Sequence, residues 1–312
     1  MLPGSAFIER VPLSAVDLAD DSFRVSKRRP LDDLRASIER FGLLESPLLL
    51  KERDRMVPVF GHNRLAAAVR AGLDRVDSWV VETIDPADYR NRALLKCARG
   101  EAGPVGRMKM ALILGGLGAG GDELRGAIRH GFGVPDEFAA TRMIESVLGL
   151  PASLREYLDA RDAGFRLIRD LLSLPAQAHE FLGARIDGHG FRINIFREMV
   201  EMLSDILLRD GSLAAVFALP PARTGDPRRE EQSLHDAVYA VRYPSYTAAR
   251  EKAAGIVAEI ERGACTVALP SYFEGGDITL SFRFARGETE DSIRRRLSGV
   301  DARKIEKLLG LL

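Results

Sequence analysis

Cysteine is nearly absent: Cys97 and Cys265 are the only two in 312 residues. They stand far apart, so neither a disulfide framework nor a cysteine-built metal centre is encoded. The five histidines are scattered, and no metal site is expected from them. Tryptophan occurs once, at Trp79. Neither sign of charge is in excess, with 45 basic and 45 acidic residues. A dedicated nucleic-acid binder is more often basic overall, so any such surface must be local. No apolar run approaches the roughly 18 residues of a membrane span. Met1-Leu2-Pro3-Gly4 leads straight to Glu9 and Arg10, without the pattern of a secretory leader, so a cytoplasmic protein with no membrane partner is expected. Internal repeats and low-complexity tracts are also lacking.

Hydrophobic residues make up 46% of the chain, enough for ordinary cores, and the length suits two or three domains. Leu31, Leu34, Ile38 and Phe41 share one helical face, with Gly42 as a natural stop. Leu48–Leu50, Val57–Phe60 and Val76–Ile84 read as strands, and Asp85-Pro86 reads as a helix start. Residues from about 86 to 215 read as almost entirely helical. Helices are expected from Lys109 to Leu114, from Asp122 to His130 and from Asp136 to Gly149, the last with Ala140, Ile144, Val147 and Leu148 on one face. Pro220 to Arg229 reads as a linker. Beyond it come a helix from Ala248 to Arg262, a strand at Thr266–Leu269 and an alternating strand from Ile278 to Phe284. Helices over Glu288–Leu297 and Asp301–Leu311 close the chain.

The segment Val57-Pro58-Val59-Phe60-Gly61-His62-Asn63-Arg64-Leu65-Ala66 carries the most chemistry. An extended apolar run meets a glycine, and an alanine-rich helix follows. Free backbone N–H groups and the positive end of the helix dipole converge at such a junction and attract anions. Arg64 is placed to add a bidentate phosphate contact. The same strand–Gly–helix pattern also occurs as a plain α/β corner with no ligand.

Other elements stand before and after that segment in a specific order. They are Arg24 in Asp21-Ser22-Phe23-Arg24, the helix Leu31-Asp32-Asp33-Leu34-Arg35-Ala36-Ser37-Ile38 ending at Gly42, and Ser46-Pro47-Leu48-Leu49-Leu50. Together they resemble the N-terminal domain of the ParB family, in the ParB/sulfiredoxin superfamily, over residues 8–84, with a further match to about 175. The resemblance implies an α+β chain: an N-terminal ParB/sulfiredoxin-like α/β nucleotide-binding domain at 1–103, a helical, helix-turn-helix-like domain at 104–218, a linker at 219–233, and a small helix–hairpin–helix unit at 234–312 that dimerises. It implies binding of CTP or another nucleoside triphosphate with Mg2+. Arg24 matches the family's first arginine motif, and Gly61 and Arg64 match the ends of its Gly-x-x-Arg box. His62 and Asn63 stand where the family usually has Glu-Arg, and both side chains can donate to phosphate.

The family's third motif, Glu-Asn-x-x-Arg, is missing from the corresponding stretch Leu94–Pro104. Arg99 and Arg107 are the nearest cations there, with Arg99 carried as a nucleotide-binding residue, and Glu101 is the nearest carboxylate. The departure degrades the groups tied to hydrolysis, so that at most a weak CTPase is expected, and it leaves binding. DNA is the implied partner, with Thr141, Arg142 and Arg166 as contacts, Arg125, Arg129 and Arg169 at the rim, and acidic Asp136, Glu137 and Glu145 opposing them. The protein would then be a dimeric clamp, partition protein or transcriptional regulator, associated with the nucleoid and served by a partner ATPase. Two alternatives stay open. One is a small-molecule kinase of the same superfamily, of the free-serine type, with Glu39, Glu45 or Glu101 as candidate carboxylate. The other is a regulatory scaffold without hydrolysis. A sulfiredoxin-type activity needs a cysteine where His62 stands.

Overall fold

The structure, a computed structural model, describes residues 7–186, 191–221, 224–261, 265–270, 273 and 275–312. The chain is α+β and separates into two compact units. One is formed by residues 1–204 and 223–231, the other by 205–222 and 232–312.

The first unit begins with a four-stranded sheet. Its strands are β1 (Phe7–Pro12), β2 (Leu48–Glu52), β3 (Arg55–Phe60) and β4 (Arg75–Val81), in the spatial order β1-β4-β2-β3. β2 pairs antiparallel with β3 and parallel with β4, and β1 lies antiparallel to β4. Pro58 is tolerated in β3 because this strand is at the sheet edge, where one row of N–H groups has no ladder to join. Alternation along β4 sends Val76 and Val80 to one face. There they pack with Leu49, with Ile38 of α1 (Asp32–Phe41), and with Leu65, Ala67 and Ala68 of α2 (His62–Arg70). Beyond the sheet comes α3 (Pro86–Ala98), whose buried Tyr89 ring lies 5.3 Å from that of Phe60. The expected start of α3 is present: Pro86 opens the helix and the Asp85 carboxylate accepts from the Asp88 N–H at 2.8 Å.

Two readings of this region differ from the structure, and one strand was not anticipated. β1 had no alternating signal, since only Val11 is buried while Phe7 and Ile8 remain exposed; the strand forms by pairing with β4. Phe41 is exposed instead of sharing the buried face of α1 and lies against the Arg40 guanidinium. β4 ends at Val81, short of Ile84.

The rest of the first unit is helical. The central element is α4 (Pro104–Gly116), with seven buried residues including Met108, Met110 and Leu114. Around it lie α5 (Gly121–Gly126), α6 (Thr141–Leu148) and α7 (Ala152–Ala160), followed by α8 (Phe165–Leu172), α9 (Ala176–Ile186) and the first part of α10 (Ile193–Asp210). α5 runs on into a single wide turn over Ala127–Gly131. The helix expected over Asp136–Gly149 is broken. A short turn of tighter helix spans Asp136–Phe138, and Ala140 is extended, with ψ 129°. Buried Phe138, 5.1 Å from the Phe165 ring, pins that turn to α8. Ala140 is exposed, so the buried face of α6 is carried by Ile144 and Val147.

In the second unit, α11 (Ala214–Phe217) precedes the later part of α12 (Pro227–Arg242) and α13 (Pro244–Glu261). The hairpin β5 (Cys265–Ala268) and β6 (Thr279–Phe282) follows, then α14 (Glu290–Ser298) and α15 (Ala302–Leu309). Its core holds Ala253, Ile260, Cys265 and Leu308. α12 starts inside the segment read as a linker, and Pro227 occupies its first position. The buried Glu230 carboxylate orders the approach to it by accepting from the Thr224 and Gly225 N–H groups at 2.6 and 2.9 Å.

Candidate functional site

Gly61 makes the turn from β3 into α2 with φ +102°, a conformation in which a side chain is strained. A Cβ there would also lie 2.7 Å from Pro47 Cβ. Only glycine fits, and the turn leaves the first amides of α2 uncapped by any side chain, with no acidic residue in the first helical turn. Those amides border a cavity of about 440 Å3 lined by Lys27, Arg29, Leu31, Leu34, Ser37, His62, Asn63, Arg64, Lys96 and Glu101, among others. Four of its cations come from three elements: Lys27 and Arg29 from the segment before α1, Arg64 from α2 and Lys96 from α3. Asp33 and Glu101 are its carboxylates.

Three of the four cations already have carboxylate partners: Lys27 meets Asp162 at 2.5 Å, Lys96 meets Glu101 at 2.8 Å, and Arg64 meets Glu45. Burial holds the His62 imidazole down to about 4, helped by the Arg24 charge, so the ring is neutral near pH 7. Its Nε2 is buried without a hydrogen-bond partner among the described residues. Burial lowers the Arg64 pKa, which costs this group nothing in charge because guanidinium starts so high. Burial works against ionisation of Glu101, but the hydrogen bond from Lys96 (2.8 Å) and the charges of Lys96, Arg64 and Arg99 outweigh it, so its carboxyl sits below the usual value.

Gly61, His62, Asn63 and Arg64 come together at this cavity; Arg24 and Arg99 do not line it. Arg24 lies behind the turn. Its guanidinium donates to Asp21 at 3.0 Å and to the Asn63 side-chain oxygen at 3.1 Å. The Asn63 amide nitrogen donates to the Lys27 carbonyl at 3.0 Å. Asn63 is thus committed at both ends to holding the Arg24–Lys27 segment on α2. Arg99 lines an adjoining cavity and meets Glu45 at 3.3 Å. Sequence reading missed Lys27, Arg29 and Lys96. The run Ser26-Lys27-Arg28-Arg29-Pro30, a dense cationic stretch, was a usable signal. Lys96 stands in the stretch Leu94–Pro104 that the resemblance sets against the third motif, but was passed over there in favour of Arg99.

Among the expected DNA contacts, Thr141 and Arg142 are exposed on the first turn of α6, and Arg166 is exposed on α8. The acidic positions differ in environment. Asp136 pairs with Arg129 at 3.6 Å and Glu137 with Arg169 at 3.8 Å. Glu145 is exposed beside Arg142 on α6.

No family model matches this chain, and no curated protein matches it. Solved structures do. The C-terminally truncated chromosome-partitioning protein ParB from Caulobacter crescentus, complexed with CTP-gamma-S, is 22% identical over 59% of this chain and 99% of its own, at a TM-score of 0.26. The same protein complexed to the centromeric parS site is 20% identical over 62% and 97%, at 0.25. A Pnob8-like ParB-N domain is 10% identical over 76% and 98%, at 0.33. Among the described residues, no helix is long and apolar enough to cross a membrane.

Proposed function

We propose that this chain is a ParB-like, DNA-binding protein that takes a nucleoside triphosphate, CTP by the family resemblance, at the Gly61–Arg64 turn. The observation that carries this reading is the convergence of Lys27, Arg29, Arg64 and Lys96 on a cavity bordered by uncapped α2 amides. A triphosphate brings about four negative charges, and charge-assisted contacts to it are the strong kind. The apolar wall of Leu31 and Leu34 is of the sort that accepts a base. Among the described residues, no group of three His, Cys, Asp or Glu side chains forms a metal cage. With the Glu-Asn pair absent and Glu101 tied to Lys96, the proposed role is binding rather than turnover. Helix α6 is the element proposed to meet the DNA groove, through Thr141 and Arg142. The resemblance supports a dimer formed through residues 234–312.

Calorimetric titration with CTP, ATP and GTP plus magnesium tests the nucleotide part. Arg64→Ala removes a charge-assisted contact worth about 1.5–3 kcal/mol, so affinity should fall at least about tenfold. Absence of heat with every nucleotide at millimolar concentration would remove the reading.

A further inference from the structure

On the far side of Arg64 lies a second cavity, of about 410 Å3, which shares Arg64, Lys96 and Glu101 with the first. Its character is different. One part of its lining is apolar and aromatic: Phe60, Trp79 and Leu95, with Leu44 beside them. Leu44 is 78% exposed and Leu95 49% exposed, so this apolar surface faces water. The other part is cationic, and two guanidinium groups, Arg64 and Arg99, converge on one carboxylate, Glu45. Glu45 belongs to the short connection between α1 and β2. Its side chain is 52% exposed and that of Arg99 46% exposed. An ion pair so exposed contributes little and exchanges readily.

We propose that this second cavity is a binding site for a small organic anion with an apolar, ring-sized body, and that Glu45 is the internal carboxylate that occupies the anion's place. The cavity is in the size range of small-molecule sites, and such sites combine apolar lining with a few fixed polar groups. An apolar body covers Leu44, Leu95 and the aromatic wall, which is the favourable step. A carboxylate, phosphate or sulfonate on that body takes over the Arg99 and Arg64 donors as Glu45 swings to solvent. The arginines keep a carboxylate-like partner in both states, and the displaced Glu45, already 52% exposed, is solvated. The site goes beyond the nucleotide reading and has its own reporter, because Trp79 is the chain's only tryptophan and lines this cavity but not the first.

The test uses the full-length protein and anilinonaphthalene sulfonate, an apolar anion that accepts energy from tryptophan. Quenching of Trp79 with sensitised dye emission should saturate. Arg99→Ala should weaken binding at least about fivefold, and Glu45→Gln should strengthen it about three- to fivefold by removing the competitor. Phenylnaphthylamine, which keeps the rings and lacks the anion, should bind at least about fivefold more weakly. Arg99 and Glu45 are half-exposed, and a circular dichroism melt confirms that each variant is folded. Three results each overturn the proposal: no Trp79 quenching at millimolar dye, equal affinity in wild type and both variants, or equal affinity for the neutral ring compound. Nucleotide binding is read separately by calorimetry, so failure of one site is distinguishable from failure of the other.

Discussion

Two buried titratable side chains give the first unit opposite responses to acid. His62 is held at about 4 in the folded chain against 6.5 when free. Between those values the unfolded state binds a proton that the folded state refuses, so His62 makes stability fall as pH drops through that window. Asp159 is pushed up from 3.8 to about 6 by burial, against the pull of the Val105 and Gly106 N–H groups that it accepts at 2.8 and 3.1 Å. There the folded state holds the proton first, and stability falls as pH rises from 3.8 to about 6. Each effect amounts to about 3 kcal/mol, and the two nearly offset. His62→Gln removes one side of the balance. In urea unfolding at pH 7 and pH 4, this variant should gain about 3 kcal/mol on wild type at the lower pH. Parallel changes in the two proteins would show that His62 does not titrate as its burial requires.

On the proposed function, helix α6 is the element of the first unit that would read DNA. The charge conflict expected along its approach is partly resolved by geometry, because Arg129 and Arg169 pair with Asp136 and Glu137. Glu145 remains on the exposed face with Thr141 and Arg142. Glu145→Lys exchanges repulsion for attraction and should raise duplex affinity about three- to tenfold at low salt, with a steeper salt dependence. Fluorescence anisotropy with a labelled duplex measures both. Clear wild-type binding that the substitution leaves unaltered would take α6 out of the interface. At this scale much was legible from pattern alone: β2, β3, α2, the Asp85-Pro86 start of α3, and the alternating β6. What was hidden depended on partners distant in sequence. β1 exists because β4 offers an edge. The break before α6 exists because Phe138 finds Phe165. The cavity was legible as Gly61 and Arg64, residues that act where they stand. Lys96 stood in a stretch the resemblance pointed to, but which of its cations reaches the cavity is set by the packing of α3 on the sheet.

For the molecule as a whole, the balance of 45 basic and 45 acidic residues means that assembly is not opposed by net charge. The second unit leaves Phe284, Leu297 and Leu309 exposed, at 44%, 50% and 40%. Phe284 stacks on Phe282, with Arg296 above its ring, so it is held in place as a free apolar surface. A dimer through residues 234–312 would cover such surface. Light scattering of the full chain should therefore give twice the monomer mass. Phe284→Asp, which puts a charge into that contact, should shift the mass toward monomer at micromolar concentration. A dimer indifferent to this change would place the contact on another face.

The doubly committed Asn63 has a thermodynamic consequence. By holding Arg24 with one end of its amide and the Lys27 carbonyl with the other, it assembles the cation-bearing loop on α2 before any ligand arrives. Fixing a residue's backbone costs about 1–2 kcal/mol in entropy, and for this stretch folding has already met that cost. On the proposed function, an anion at Gly61 would meet a preorganised receptor, and the affinity of its contacts would not be diluted by having to build the loop that makes them.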